Sequence, residues 1–307
     1  MNKYYFFIIA WIVAATCLVQ IKAAEIEPEK QELKQNDYSL KRKVAISPFS
    51  NETEYGKEIP YDKEKDPVGK KAMNILSAKL TSTGRFIVSE RLDMDRLIED
   101  LKTPGNNVPQ ETGAEYLIIG SITEFGSKKE GNMNTSLKAK MAETTVRISI
   151  VDVLSGDVIY SGETNGESES ENYTAARPGE NNNYDPSLLE KVISDAISKL
   201  EENIINNCIN RPWKTFIVNY DLNGIVIAGG ESQGLKIEEI LELVEKSKSA
   251  HPTQTVEKTE LPGKVVGKIQ IICFGGDTNE TEYALASLIE GSFDVEKLGN
   301  YYIRKIK

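Results

Sequence analysis

One stretch of the chain has the form of a nucleophile. Gly230-Glu231-Ser232-Gln233-Gly234 matches G-x-S-x-G, which sets a serine on a sharp strand-to-helix turn, and the apolar run Gly224 to Ala228 before it reads as a strand. Such a serine needs an acid and then a histidine later in the chain. The single histidine, His251, follows Ser232 with no aspartate between them, and Glu238, Glu239, Glu242 and Glu245 fall on the segment directly after the serine. A small serine hydrolase using Ser232 is the enzymatic alternative, and a glycine-rich turn is the competing reading. The sequence after Arg211-Pro212 is too short for a complete hydrolase sheet, so we expect the turn and no enzyme. The three cysteines, Cys17, Cys208 and Cys273, include no C-x-x-C pair, and with one histidine they are too few for a metal cage. Neither metal nor cofactor is expected. Cys208 and Cys273 are the candidate disulfide, worth ~4 kcal/mol across so long a loop in an oxidising compartment; a buried free thiol is the alternative. Cys17 follows Ala14-Ala15-Thr16 and is the candidate for lipidation. It also reads as an apolar residue of a leader.

That leader is the first element. Lys3 precedes an almost wholly apolar stretch, Tyr4 to Val19, and Ala23-Ala24 offers small residues for cleavage, so residues 1–24 read as an export signal. A membrane anchor is the competing reading, with a span at the short end of what a bilayer needs. Loss of Lys3 and Lys22 takes the net charge from −10 to −12. With 47 acidic against 37 basic residues in 307, no nucleic-acid partner is expected, because phosphate recognition wants a basic face. Composition and length (39% hydrophobic) permit two domains with real cores.

Residues 25–42 are a polar lead-in, followed by a first domain over 43–210. Val44 to Phe49 reads as a short buried strand ended by Pro48. Asp66-Pro67 starts a helix in which Ala72, Ile75, Leu76 and Leu80 share a face up to Gly84. Phe86-Ile87-Val88 is a strand, and Leu92, Met94, Leu97, Ile98 and Leu101 mark a further helix. Tyr116 to Ile122 is a continuous apolar run, hence a strand covered on both faces. Val146, Ile148 and Ile150 alternate with polar residues, Leu154-Ser155-Gly156-Asp157 turns, and Val158-Ile159-Tyr160 returns as a hairpin. Residues 162–184, rich in Glu, Asn and Gly, read as a mobile loop. From Pro186 to about Cys208 the apolar spacing is that of a long amphipathic helix. Residues 213–307 form a second, β-rich domain closed as a small barrel or sandwich, with Leu235 to Val244 ambiguous between helix and strand. The fold class is α/β (α+β): a mixed sheet flanked by helices, then a small β-rich C-terminal domain.

Four segments in this order carry a resemblance: Lys43-Val44-Ala45-Ile46-Ser47-Pro48-Phe49, Gly84 to Asp93, Gly113 to Thr123, and Val151-Asp152-Val153-Leu154-Ser155-Gly156-Asp157-Val158. Over about 43–209 the chain resembles the curli production assembly/transport component (CsgG) family. The resemblance implies an envelope protein whose named member forms an outer-membrane secretion channel. In that channel two hairpins from each subunit enter the membrane, and the loop after the first strand forms the pore constriction. Here that loop spans Asn51 to Lys65 and contains Asn51, Tyr55 and Tyr61, which stand as a constriction or partner loop by position, against a plain solvated loop.

The hairpin positions are Ser127 to Met141, with Lys128, Lys129, Lys138 and Lys140, and Gly162 to Asp185, with few apolar residues. A spanning strand alternates apolar side chains toward lipid, and basic residues at mid-membrane cost ~2–4 kcal/mol each. Membrane hairpins of the usual kind are therefore absent from the reading. The expectation is an exported, non-catalytic protein of the periplasm or the periplasmic face of the outer membrane. It would work in assembly or secretion as a scaffold or accessory subunit, with envelope protein partners and self-assembly. A secretion-channel subunit with polar hairpins is the alternative.

Overall fold

Arg42 to Ile46 forms β1, and all five of its residues are buried, the charged Arg42 and Lys43 as well as the apolar Val44, Ala45 and Ile46. The computed structural model describes residues 40–53, 67–90, 113–130, 139–170, 186–247, 263–279 and 281–306. A two-residue β2 (Ser50–Asn51) follows β1, then helix α1 (Pro67–Ser82) and β3 (Phe86–Glu90). Val68, Ala72, Met73, Leu76 and Leu80 form the buried stripe of α1, and Gly84 stops it in a left-handed conformation (φ 67°). The expected helix over 92–101 lies outside the described residues.

β4 (Tyr116–Glu130), β5 (Ala139–Asp152) and β6 (Val158–Ser170) complete a sheet ordered β3-β1-β4-β5-β6, with β2 beside β4. β1 is parallel to both β3 and β4, while β4, β5 and β6 are antiparallel. The mixed sheet and the β5–β6 hairpin agree with the sequence. The mobile loop does not, because Gly162 to Ser170 continues β6. Gly162, Thr164, Gly166 and Ser168 turn inward and Glu163, Asn165, Glu167 and Glu169 outward, a period of two written in small residues instead of apolar ones.

Those small residues make room for α2 (Pro186–Ile209), whose buried side Leu188, Leu189, Val192, Ile193, Ala196, Ile197, Leu200, Ile204 and Cys208 shares one core with α1 and the strands. A Cβ on Gly166 would lie 1.9 Å from the Val192 carbonyl oxygen, so the strand meets the helix backbone directly. Gly120 serves Phe49 likewise, since a Cβ there would stand 2.4 Å from the buried ring. Ala45, Ala114, Leu117, Val151 and Val153 form a second buried cluster around the same strands.

The remaining strands are β7 (Lys214–Thr215), β8 (Ile217–Asp221), β9 (Gly224–Ala228), β10 (Ile240–Glu245), β11 (Lys264–Gly275), β12 (Tyr283–Gly291) and β13 (Tyr301–Lys305), ordered β7-β13-β10-β11-β12-β9-β8. β7 and β8 are successive parts of one run, paired with β13 at its start and with β9 beyond, so the sheet closes on itself as a barrel. The ambiguous segment resolves as strand from Ile240. Leu241, Leu243 and Val244 are all buried because a bulge at Leu243/Val244 breaks the alternation. Trp213, Ile225, Ile227, Leu241, Leu243, Ile269, Ile271 and Ile303 fill the barrel core.

Candidate functional site

The densest chemistry in the described residues is a buried polar junction where β1, the end of α2 and the barrel meet. Arg42 is 2% exposed and its guanidinium donates to Glu115 Oε2 at 2.9 Å, to the Ile209 carbonyl at 3.4 Å and to the Arg211 carbonyl. Glu115 also accepts from the Lys43 backbone N–H (3.3 Å) and from Gln233 Nε2 (3.1 Å). Gln233 reaches across from the barrel, and its side chain and main chain bracket Lys41: Nε2 donates to the Lys41 carbonyl and the Gln233 carbonyl accepts from the Lys41 N–H. One arginine thus fastens the last turn of α2, whose terminal carbonyls would otherwise lack partners. Burial pushes the Glu115 carboxyl above its ordinary value, and Arg42, the Lys43 N–H and Gln233 pull against that shift.

Two neighbours deepen the junction. Tyr116 is fully buried with its hydroxyl unpartnered, and desolvation beside Glu115 raises it far above an ordinary phenol. Asp152, also fully buried, accepts from the Leu154 and Ser155 N–H groups at the β5–β6 turn and pairs with Lys214 of the barrel at 2.7 Å. Lys246 is lowered by burial and by the nearby Lys214 charge. The cluster can orient and fix elements.

Ser232 sits in a 3₁₀ turn, Glu231–Gln233, one residue from that junction. Its hydroxyl and N–H both donate to the Glu282 carboxylate, the N–H at 3.1 Å from each oxygen. The serine therefore faces an acceptor carboxylate in place of an imidazole, and it ties the turn to the start of β12. His251 lies outside the described residues. Gly234 is left-handed (φ 99°), which supports the glycine-rich turn.

The structure does not gather the other residues singled out from sequence. Asn51 belongs to β2 and its Oδ1 accepts from the Thr53 N–H and hydroxyl, closing an Asx turn. Tyr55, Tyr61 and Cys17 lie outside the described residues. Cys208 and Cys273 are free thiols: Cys208 is buried in the α/β core and Cys273 is exposed on β11, so the two are not bonded here. Burial pushes the Cys208 thiol up to about 12. Arg42, Glu115, Gln233 and the Asp152–Lys214 pair were not singled out from sequence as a site. Their only signal there was a charge placed directly against a fully apolar run, as with Glu115 before Tyr116.

At the two hairpin positions the sheet continues as strand. Glu130 pairs with Ala139 and Lys140 with Ser170, and Arg147 and Glu163 form an ion pair at 2.6 Å on the outward side. No helix among the described residues is long and apolar enough to cross a membrane, a statement that leaves crossing by strands untouched.

Among the described residues, a mixed sheet carries two helices on one side and is joined to a closed barrel through the Asp152–Lys214 ion pair. Residues 27–220 match the model of the curli production assembly/transport component CsgG, and the chain belongs to that family. The match runs from before β1 to β8 and stops short of most of the barrel. A candidate lipoprotein of Neisseria meningitidis serogroup B is 27% identical over 182 residues, covering 58% of this chain and 81% of that protein. Among solved structures, the hypothetical protein CT253 of Chlamydia trachomatis aligns with a TM-score of 0.38 at 14% identity, over 56% of this chain and 99% of the other. The PelC dodecamer of Paraburkholderia phytofirmans aligns at 0.31 and 16% identity, over 55% and 90%. Lipoprotein GNA1162 of N. meningitidis aligns at 0.28 and 14%, over 55% and 99%.

Proposed function

We propose that the protein is exported and works non-catalytically in the cell envelope, in the periplasm or at the periplasmic face of the outer membrane. There it serves as a scaffold or accessory subunit in assembly or secretion and meets envelope protein partners, itself among them. The observation that carries this reading is the family match over 27–220. The relative described as a lipoprotein supports an envelope address; residues 1–24 are read as a cleaved export signal, with lipid attachment at Cys17 as the alternative. The engagement of Ser232 by Glu282 supports the non-enzymatic reading. In this reading residues 43–210 carry the family role and 213–307 are an appended unit. The deciding experiment is membrane fractionation and sizing of the mature protein after export. An envelope fraction released by detergent, and lost in Cys17→Ala, is expected for the lipoprotein form; a cytoplasmic pool overturns the proposal.

A channel subunit with polar hairpins is the second reading, favoured by the growth of β4, β5 and β6 at the two insert positions. Against it stand the outward Glu163, Glu167 and Glu169. Conductance steps in planar bilayers would establish it, and a stable species that never partitions into liposomes would remove it.

A further inference from the structure

Among the described strands β6 is an outer strand of the first sheet, and an outer strand leaves a row of N–H and C=O groups pointing outward, ready to pair with another chain. At the middle of this edge the row is already used. The Glu167 N–H donates to Asp195 Oδ2 at 3.0 Å, and the Asn165 carbonyl accepts from Lys199 Nζ at 2.8 Å. Asp195 and Lys199 lie one turn apart on α2 and pair with each other at 2.8 Å. The two backbone groups they hold are the carbonyl of one residue and the N–H two residues on, the pair that a single residue of an added parallel strand would engage. The carboxylate takes the place of that residue's carbonyl and the ammonium the place of its N–H. Gly166, between them, is what lets α2 come near enough for a side chain as short as aspartate to reach.

We propose that the Asp195–Lys199 pair is a built-in strand mimic that closes the β6 edge against pairing with a second copy of this chain. A second copy is the occupant it excludes because the same sheet ends on its other side in β3, which among the described strands pairs only with β1. A sheet with two outer strands is complementary to itself head to tail, and such contacts propagate into rings or filaments. Burial alone would raise Asp195, but Lys199 and the Glu167 N–H outweigh it and hold the carboxyl below its ordinary value, so the mimic is charged at neutral pH. The device is independent of the envelope role.

The test compares the full chain with Asp195→Ala/Lys199→Ala by light scattering over a wide concentration range. The double variant is expected to add species at multiples of the wild-type mass as concentration rises. Adding Glu167→Pro, which deletes the outward N–H, is expected to abolish them. Should the double variant lose its native circular dichroism, Lys199→Met frees the Asn165 carbonyl alone and is expected to show the same shift, more weakly. A folded variant with the wild-type mass distribution at every concentration overturns the proposal, as does association that Glu167→Pro leaves unchanged.

Discussion

Arg42 and Glu115 show how a buried charge pair is worth most when only one partner is removed. Glu115→Ala strands a guanidinium that is 2% exposed and should cost about 3–5 kcal/mol, whereas Arg42→Met/Glu115→Leu should cost less than Glu115→Ala alone. Urea unfolding followed by the fluorescence of buried Trp213 reads both values. The pair also sets a pH dependence. The folded state holds the Glu115 proton more tightly than the unfolded chain does, so this group favours folding at pH below its ordinary carboxylate value. That contribution is lost as pH rises through the raised folded value. Glu115→Gln should flatten this part of the stability profile, and an unchanged profile would place the titration elsewhere. Cysteine accessibility gives a simpler check: a maleimide should label the Cys273 peptide in the native protein and the Cys208 peptide only after unfolding. Ser232→Ala should cost about 1 kcal/mol through the lost Glu282 bond, and wild-type Ser232 should resist a fluorophosphonate label.

At the scale of elements, two glycines decide how closely neighbours approach. Gly120→Ala drives a methyl group into the buried Phe49 ring and should lower stability by about 1–3 kcal/mol, visible as a lower denaturation midpoint. Gly166→Ala strikes helix backbone, so α2 must lift from β6; hydrogen exchange at the Glu167 amide should accelerate while that of β1 stays slow. The start of β6 was legible as the return of a hairpin, but its continuation from Gly162 to Ser170 was hidden because its inward positions are Gly, Thr, Gly and Ser, which carry no hydrophobic signal. Their fitness for a strand exists only against the backbone of α2. The helices α1 and α2 were legible from their apolar spacing, since each buries one continuous stripe. β10 was not, because a bulge buries Leu243 and Val244 in succession.

For the molecule as a whole, the ion pair Asp152–Lys214 and the bridge from Gln233 to Glu115 and Lys41 bind the barrel to the α/β sheet. Gln233→Ala should lower the protection of Lys41 and β1 amides without unfolding the barrel core, a result readable by peptide-level exchange. The sequence alone determined the α/β class, the order of most strands, both described helices and the family, because each rests on local spacing or on motifs written contiguously. Only the tertiary structure decided that Ser232 ties its turn to Glu282 and that Cys208 and Cys273 lie apart. It alone also decided that Arg42, Glu115 and Gln233 meet. These are relations between residues far apart in the chain, and hydrogen-bond geometry in a buried, low-dielectric setting makes sense of them in a way that no residue type or spacing encodes.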